Sequence, residues 1–111
     1  MERPEIQNAR IQAGRIAAAV LAGQLSPVLG AIDLNGLRPS VDVPNDDPDF
    51  ETFMVIDSEC EGLPIGSVRQ YWSAEALTRK KPEVAHAERW AMDTGAEAFR
   101  NVVARFAPPA A

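Results

Sequence analysis

Glu83-Val84-Ala85-His86-Ala87-Glu88-Arg89-Trp90-Ala91-Met92-Asp93-Thr94-Gly95-Ala96-Glu97-Ala98-Phe99-Arg100-Asn101-Val102-Val103-Ala104-Arg105-Phe106 is the stretch that decides the fold. Ala87, Trp90, Ala91, Ala98, Val102, Val103 and Phe106 fall on one broad apolar face when the chain is wound as a helix. The spacing predicts a long C-terminal helix over 83–106, opened by Pro82. Gly95 inside it costs about 1 kcal/mol against alanine, a cost that close approach of a neighbouring helix would explain. Just upstream, Ser73 reads as the cap of a shorter helix over 74–81. Glu75 lies in its first turn, and Arg79, Lys80 and Lys81 complement the negative pole of its last.

Working outward, residues 5–25 read as another helix, with Ile6, Ala9, Ala13, Ile16, Ala17, Val20 and Leu21 at three- and four-residue steps. Pro4 suits its first turn and Gly23 weakens its end. Ser26-Pro27 opens a second helix with Leu29, Ile32 and Leu37 as its apolar stripe, stopped by Gly36 and Pro39. So short a link predicts an antiparallel hairpin. Residues 39–48, with three prolines, form a loop. Asp47-Pro48 then starts a helix over 48–58 carrying Phe50, Phe53, Met54 and Ile56. A strand through Phe53-Met54-Val55-Ile56 is the rival reading. Gly62-Leu63-Pro64-Ile65-Gly66 is a second loop, and Val68, Tyr71 and Trp72 follow on an irregular or helical turn. The expectation is all-α: one domain over 1–111, a compact bundle of four to five helices with an N-terminal hairpin, a long C-terminal helix, and frayed ends near 1–4 and 107–111.

The composition is that of an ordinary globular domain, 46% hydrophobic and 24% charged. The single cysteine, Cys60, excludes an internal disulfide and a Cys-rich zinc site, and it fits a reducing compartment. Met1-Glu2-Arg3-Pro4-Glu5 lacks the form of a secretory signal, and the run Ile16–Ala22 is far shorter than the roughly 20 residues of a membrane span. A cytoplasmic protein is expected, with no membrane partner. A net charge of −5 argues against nucleic acid as a partner.

The charge is unevenly placed. Asp42, Asp46, Asp47, Asp49, Glu51, Asp57, Glu59 and Glu61 lie within twenty positions, and no lysine or arginine occurs from 39 to 68. One reading is a solvated, salt-screened segment. The other is a landing surface for a basic protein, in which Asp46, Asp47, Asp49, Glu51, Asp57, Glu59 and Glu61 steer and pair with its cations. Phe50 or Trp72 would then be the apolar anchor, with Tyr71 a neighbouring candidate, while Trp90 belongs to the core. Arg69, the first base after the run, is expected to pair with Asp57 or Glu59.

Chemistry fares poorly by contrast. Asp57-x-Glu59-x-Glu61-Gly62 imitates the opening of a calcium loop but has Val68 where the bidentate glutamate belongs. Asn45-x-Asp47-x-Asp49 places Phe50 at the glycine position and Ile56 at the glutamate position. Glu83-x-x-His86 is half of a di-metal motif without its second half, so His86 reads as a boundary histidine. Cys60, among acids, is a poor thiolate, and Gly62-x-x-x-Gly66 is no phosphate loop. Neither a metal nor another cofactor is implied.

Asp47-Pro48-Asp49-Phe50-x-x-Phe53, Ile56-Asp57-Ser58-Glu59, Leu63-Pro64-x-Gly66, Arg69-x-x-Trp72 and Ala87-Glu88-x-Trp90-Ala91 together resemble a family of small bacterial domain-of-unknown-function proteins, over roughly residues 8–106. The resemblance carries no catalytic signature. Some small proteins of this kind are encoded beside secreted toxins and act as their immunity proteins, and that is the function it implies: a non-enzymatic inhibitor docking an acidic surface on a basic toxin domain. A structural or regulatory homodimer paired through the C-terminal helix is the first alternative. A small enzyme using Asp57 and Glu59 as paired carboxylates is the second.

Overall fold

Helix starts in this protein coincide with a capping oxygen, a proline, or both. In the computed structural model, which describes residues 3–107, α1 spans Pro4–Leu21, α2 Pro27–Leu37, α3 Pro48–Glu59 and α4 Ala74–Arg105. Ser26 Oγ accepts from the Leu29 N–H, Asp47 Oδ1 from the N–H groups of Asp49 and Phe50, and Ser73 Oγ from the Ala76 N–H. Each satisfies donors that the first turn leaves free. Short 3-10 turns at Arg38–Ser40 and Gly66–Tyr71 join the pieces, and there is no strand among the described residues. The fold is the all-α bundle that the periodicity predicts, and the strand reading of 53–56 falls.

The helices run antiparallel in sequence. At the α1–α2 corner Val20 packs beside Gly30, and at the far end Arg10 donates to the backbone carbonyls of Val41 and Asp42. That contact holds Asp42, which has a positive φ of 54°. Between α2 and α3, Asn35 donates to Asp57 and Arg38 to Glu51. Between α3 and α4, Phe50 meets Phe106, Phe53 meets Phe99, and Ile56 faces Gly95. Phe50, Phe53 and Phe99 are fully buried at the centre.

Five boundaries and faces depart from the sequence reading. α1 stops at Leu21 because Gly23, with φ +75°, lets the Gly23 and Gln24 N–H groups cap the carbonyls of Val20 and Ala19. The buried stripe of α2 is Val28, Ala31 and Leu34, while Ile32 stays 37% exposed, because the helix packs on both α1 and α3 rather than on one of them. Gly36 does not end α2, which runs on to Leu37. Met54 is exposed, while Phe50, Phe53 and Ile56 of the same helix are buried. The fifth is the largest: Pro82 opens no helix, since 74–81 and 83–105 are one continuous helix. A proline there forgoes one backbone hydrogen bond and strains the turn before it. Leu77, Lys81, Val84, Ala85 and Glu88 nonetheless form a single in-phase stripe along one shallow cavity, so a break at 82 would lose that alignment. Arg79, Lys80 and Lys81 therefore sit mid-helix rather than at a helix end. Of the ends expected to fray, Pro4 is already helical, and residues 1–2 and 108–111 lie outside the described residues.

One electrostatic clasp closes the end of the bundle. Arg105 reaches Asp47 at 2.6 Å and Asp49 at 2.8 Å, and Asn101 donates to Asp49 at 3.0 Å. Burial raises the pKa of the Asp47 carboxyl, but the hydrogen bond from Arg105, the N–H groups of Phe50 and Asp49 and the charge of Arg105 outweigh it and hold the group below 3.8. Its stabilisation is thus complete above an unfolded carboxyl's pKa and fades as the pH falls through the lower folded value. Arg105→Met is expected to cost about 2–3 kcal/mol at pH 7, a buried-pair cost discounted for the arginine's partial exposure. In urea melts the deficit relative to the native chain should shrink as the pH drops below 3.8.

The glycines supply a second prediction. A Cβ at Gly95 would stand 2.8 Å from Phe99 and 3.0 Å from Ile56 of α3, whereas one at Gly36 would meet nothing within 4 Å. Gly36→Ala should stabilise by about 0.5–1 kcal/mol through helix propensity. Gly95→Ala should lose about 1–2 kcal/mol by overpacking despite the same propensity gain. Opposite shifts in Tm would confirm the close α3–α4 approach.

Candidate docking groove

At the C-terminal end of α3 two glutamates, Glu59 and Glu61, stand without a basic residue in the last helical turn. Cys60 caps the helix with its N–H on the Ile56 carbonyl, Gly62 (φ +84°) turns the chain, and the Leu63 N–H returns to Cys60. This turn presents Glu59 and Glu61 at the C-terminal pole of α3, where a helix favours cations. The last turn of α3 holds no basic residue. Neither glutamate has an ion-pair partner among the described residues.

Opposite them runs α4, positioned by Glu88. Its carboxylate accepts from Ser26 Oγ at 2.7 Å and from the Val28 N–H at 3.2 Å, which fastens α4 to the start of α2. Around Glu88, Pro82, Glu83, His86, Ala87 and Trp90 fall on one helix face at steps of three and four. Together with Glu59, Cys60, Glu61 and Leu63 they enclose an open groove of about 640 Å³, within the range of ligand-sized clefts. Buried Cys60 and Ala87 form its apolar base. Glutamates stand on both walls, and no lysine or arginine lines it. Lys80 approaches Glu83 at 3.3 Å from outside.

A second concavity of about 380 Å³ lies across the 60–63 turn, where Ile32, Val68 and Trp72 surround Asp57 and Glu61. Cys60, Glu61 and Leu63 belong to both, so the turn is a ridge between two apolar hollows, each with a tryptophan.

Cys60 itself is inert. Burial pushes its thiol up, and Glu88, Glu59 and Asp57 push it further, so it stays protonated at neutral pH. Among the described residues no group of three or more histidine, cysteine or carboxylate side chains could hold a metal ion, and no helix is long and apolar enough to cross a membrane.

The ten residues expected to form one binding surface divide instead. Asp47 and Asp49 are buried in the Arg105 clasp, and Phe50 is wholly enclosed, 5.3 Å from Phe53, so none of the three faces a partner. Glu51 is paired with Arg38 at 2.6 Å, and Asp57 accepts from Asn35 at 3.0 Å. Asp46 is exposed, but it sits at the opposite end of α3 from Glu59, about 15–20 Å away at 1.5 Å per residue. Arg69 is exposed and pairs with neither Asp57 nor Glu59 among the described residues; it lies on the far side, by Leu77 and Lys81. Glu59, Glu61 and Trp72 remain where a partner could reach them, with Asp57 at the edge. The groove adds Glu83, His86 and Trp90. Their i, i+3, i+7 spacing was the available signal, and Trp90 is only partly buried rather than central.

Compared with protein-family models, with curated proteins and with solved structures, the chain matches none.

Proposed function

We propose that the chain is a non-enzymatic binding protein, an immunity protein of the bacterial cytoplasm that neutralises a toxin domain by covering a basic surface. One observation carries this reading. The acids that the fold encloses or anchors each have an internal partner: Arg105 for Asp47 and Asp49, Arg38 for Glu51, Asn35 for Asp57. Glu59 and Glu61 are left outward at the negative pole of α3, between two apolar hollows. A cationic partner is what such a pole lacks, and apolar hollows flanked by charge are the anatomy of a protein interface. Enzymes that handle phosphates present the matching basic surface. Within the acidic run the docking region narrows to Glu59 and Glu61, joined across the groove by Glu83, with Trp72 and Trp90 as the apolar anchors.

The test pairs the chain with the C-terminal domain of the protein encoded immediately upstream. Co-expression should rescue a bacterial host from that domain, and the double variant Glu59→Lys, Glu61→Lys should lose the rescue while keeping its Tm. Association should slow by about 10–100-fold at low salt and become less salt-sensitive. Unchanged association of the double variant would overturn the proposal. Asp47→Lys should abolish folding rather than binding, which circular dichroism separates.

A further inference from the structure

We infer that the groove between the α3 terminus and α4 is an arginine subsite: it seats an arginine side chain from an apolar stretch of the partner protein. The inference rests on the docking reading above and names what its main hollow takes. Charge complementarity sets the sign of the occupant, since Glu59 and Glu61 on one wall face Glu83 on the other and no cation lines the space. The helix pole behind Glu59 and Glu61 adds to the same negative field.

Arginine fits better than lysine for geometric reasons. A guanidinium has five donors in a planar fork and can engage carboxylates on both walls at once, whereas an ammonium is a compact, strongly hydrated point charge. Trp90 offers an aromatic surface on which a guanidinium stacks, and Cys60, Leu63 and Ala87 accept the methylene stem. Lys80 competes from the rim for Glu83, at 3.3 Å from both carboxylate oxygens.

Three blocked heptapeptides, Ser-Ala-Leu-Xaa-Leu-Ala-Ser with arginine, lysine or glutamine as Xaa, serve as probes against the intact chain. The protein has two tryptophans, so its two indole N–H resonances are assigned by Trp72→Phe alone. The arginine peptide should shift the Trp90 indole and the amides of Cys60–Leu63 saturably. The lysine peptide should bind about 3–10-fold more weakly, and the glutamine peptide at least about tenfold more weakly. Glu83→Gln should weaken arginine binding by about 3–10-fold, and Lys80→Met should strengthen it by about 2–5-fold by freeing Glu83. Equal binding of arginine and glutamine peptides, or an unmoved Trp90 resonance, overturns the subsite. If the arginine peptide perturbs only Trp72, or if Glu59→Lys, Glu61→Lys abolishes rescue while Trp90 stays silent, docking through the acidic end stands and only the subsite falls.

Discussion

A seam of small side chains along α4 governs how the other helices are arranged. Ala87, Ala91, Gly95 and Ala98 are buried on it, with a Cβ at Gly95 only 3.0 Å from Ile56 of α3, and α1 carries a similar buried stripe of Ala9, Ala13, Gly14 and Ala17. Small residues let helix axes approach to the short end of the usual 8–10 Å. A Cβ at Gly14 would already stand 3.0 Å from the Phe106 carbonyl. With the backbones this close, volume must come from a few large groups, and Phe50, Phe53, Phe99 and Phe106 supply it. Because the C-terminal half of α4 packs against α1, α2 and α3, its N-terminal half extends past them; at 1.5 Å per residue its 32 residues span about 48 Å, close to the molecule's 53 Å long axis. That overhang turns Glu83, His86 and Trp90 into a wall of a groove rather than part of the core.

What was readable in the sequence follows from how local each signal is. The starts of α2, α3 and α4 were legible because a cap involves only residues two or three positions apart. Gly23 signals the weak end of a helix over 5–25, and the helix stops two residues before it, at Leu21. Pro82 misled because proline is a strong local signal, yet the stripe from Leu77 to Glu88 runs through it in phase and keeps the helix whole. The face of α2 departs from its sequence pattern for a similar reason. A helix sandwiched between neighbours buries whichever side they occupy, and nothing within Pro27–Leu37 states where α1 and α3 will lie.

The acidic run illustrates the same limit at longer range. No base lies between 39 and 68, so in sequence the run looks uncompensated. In space Arg38 folds back on Glu51 and on the Asn45 carbonyl, and Arg105 returns from fifty-six and fifty-eight positions away to Asp49 and Asp47. Its guanidinium also stands 5.1 Å from the Phe106 ring, with Arg10 at 5.5 Å. Half of the presumed landing surface is therefore structural. Partners separated by that many residues are set by helix register, which composition does not reveal.

The two ends of α3 then differ in a way that bears on function. At its start, Asp47, Asp49 and Glu51 obey the helix dipole, and each has a cation besides. At its end, Glu59 and Glu61 oppose the dipole without a partner among the described residues. Exposure and salt lower the cost of that arrangement but supply no gain to set against it. Local rules that a protein satisfies in one place and breaks in another, on the same helix, mark the second place as shaped by something other than folding. The cation proposed to come from a partner protein, seated between Glu59, Glu61 and Glu83, would be the counterpart that makes both ends of α3 consistent with one set of physical rules.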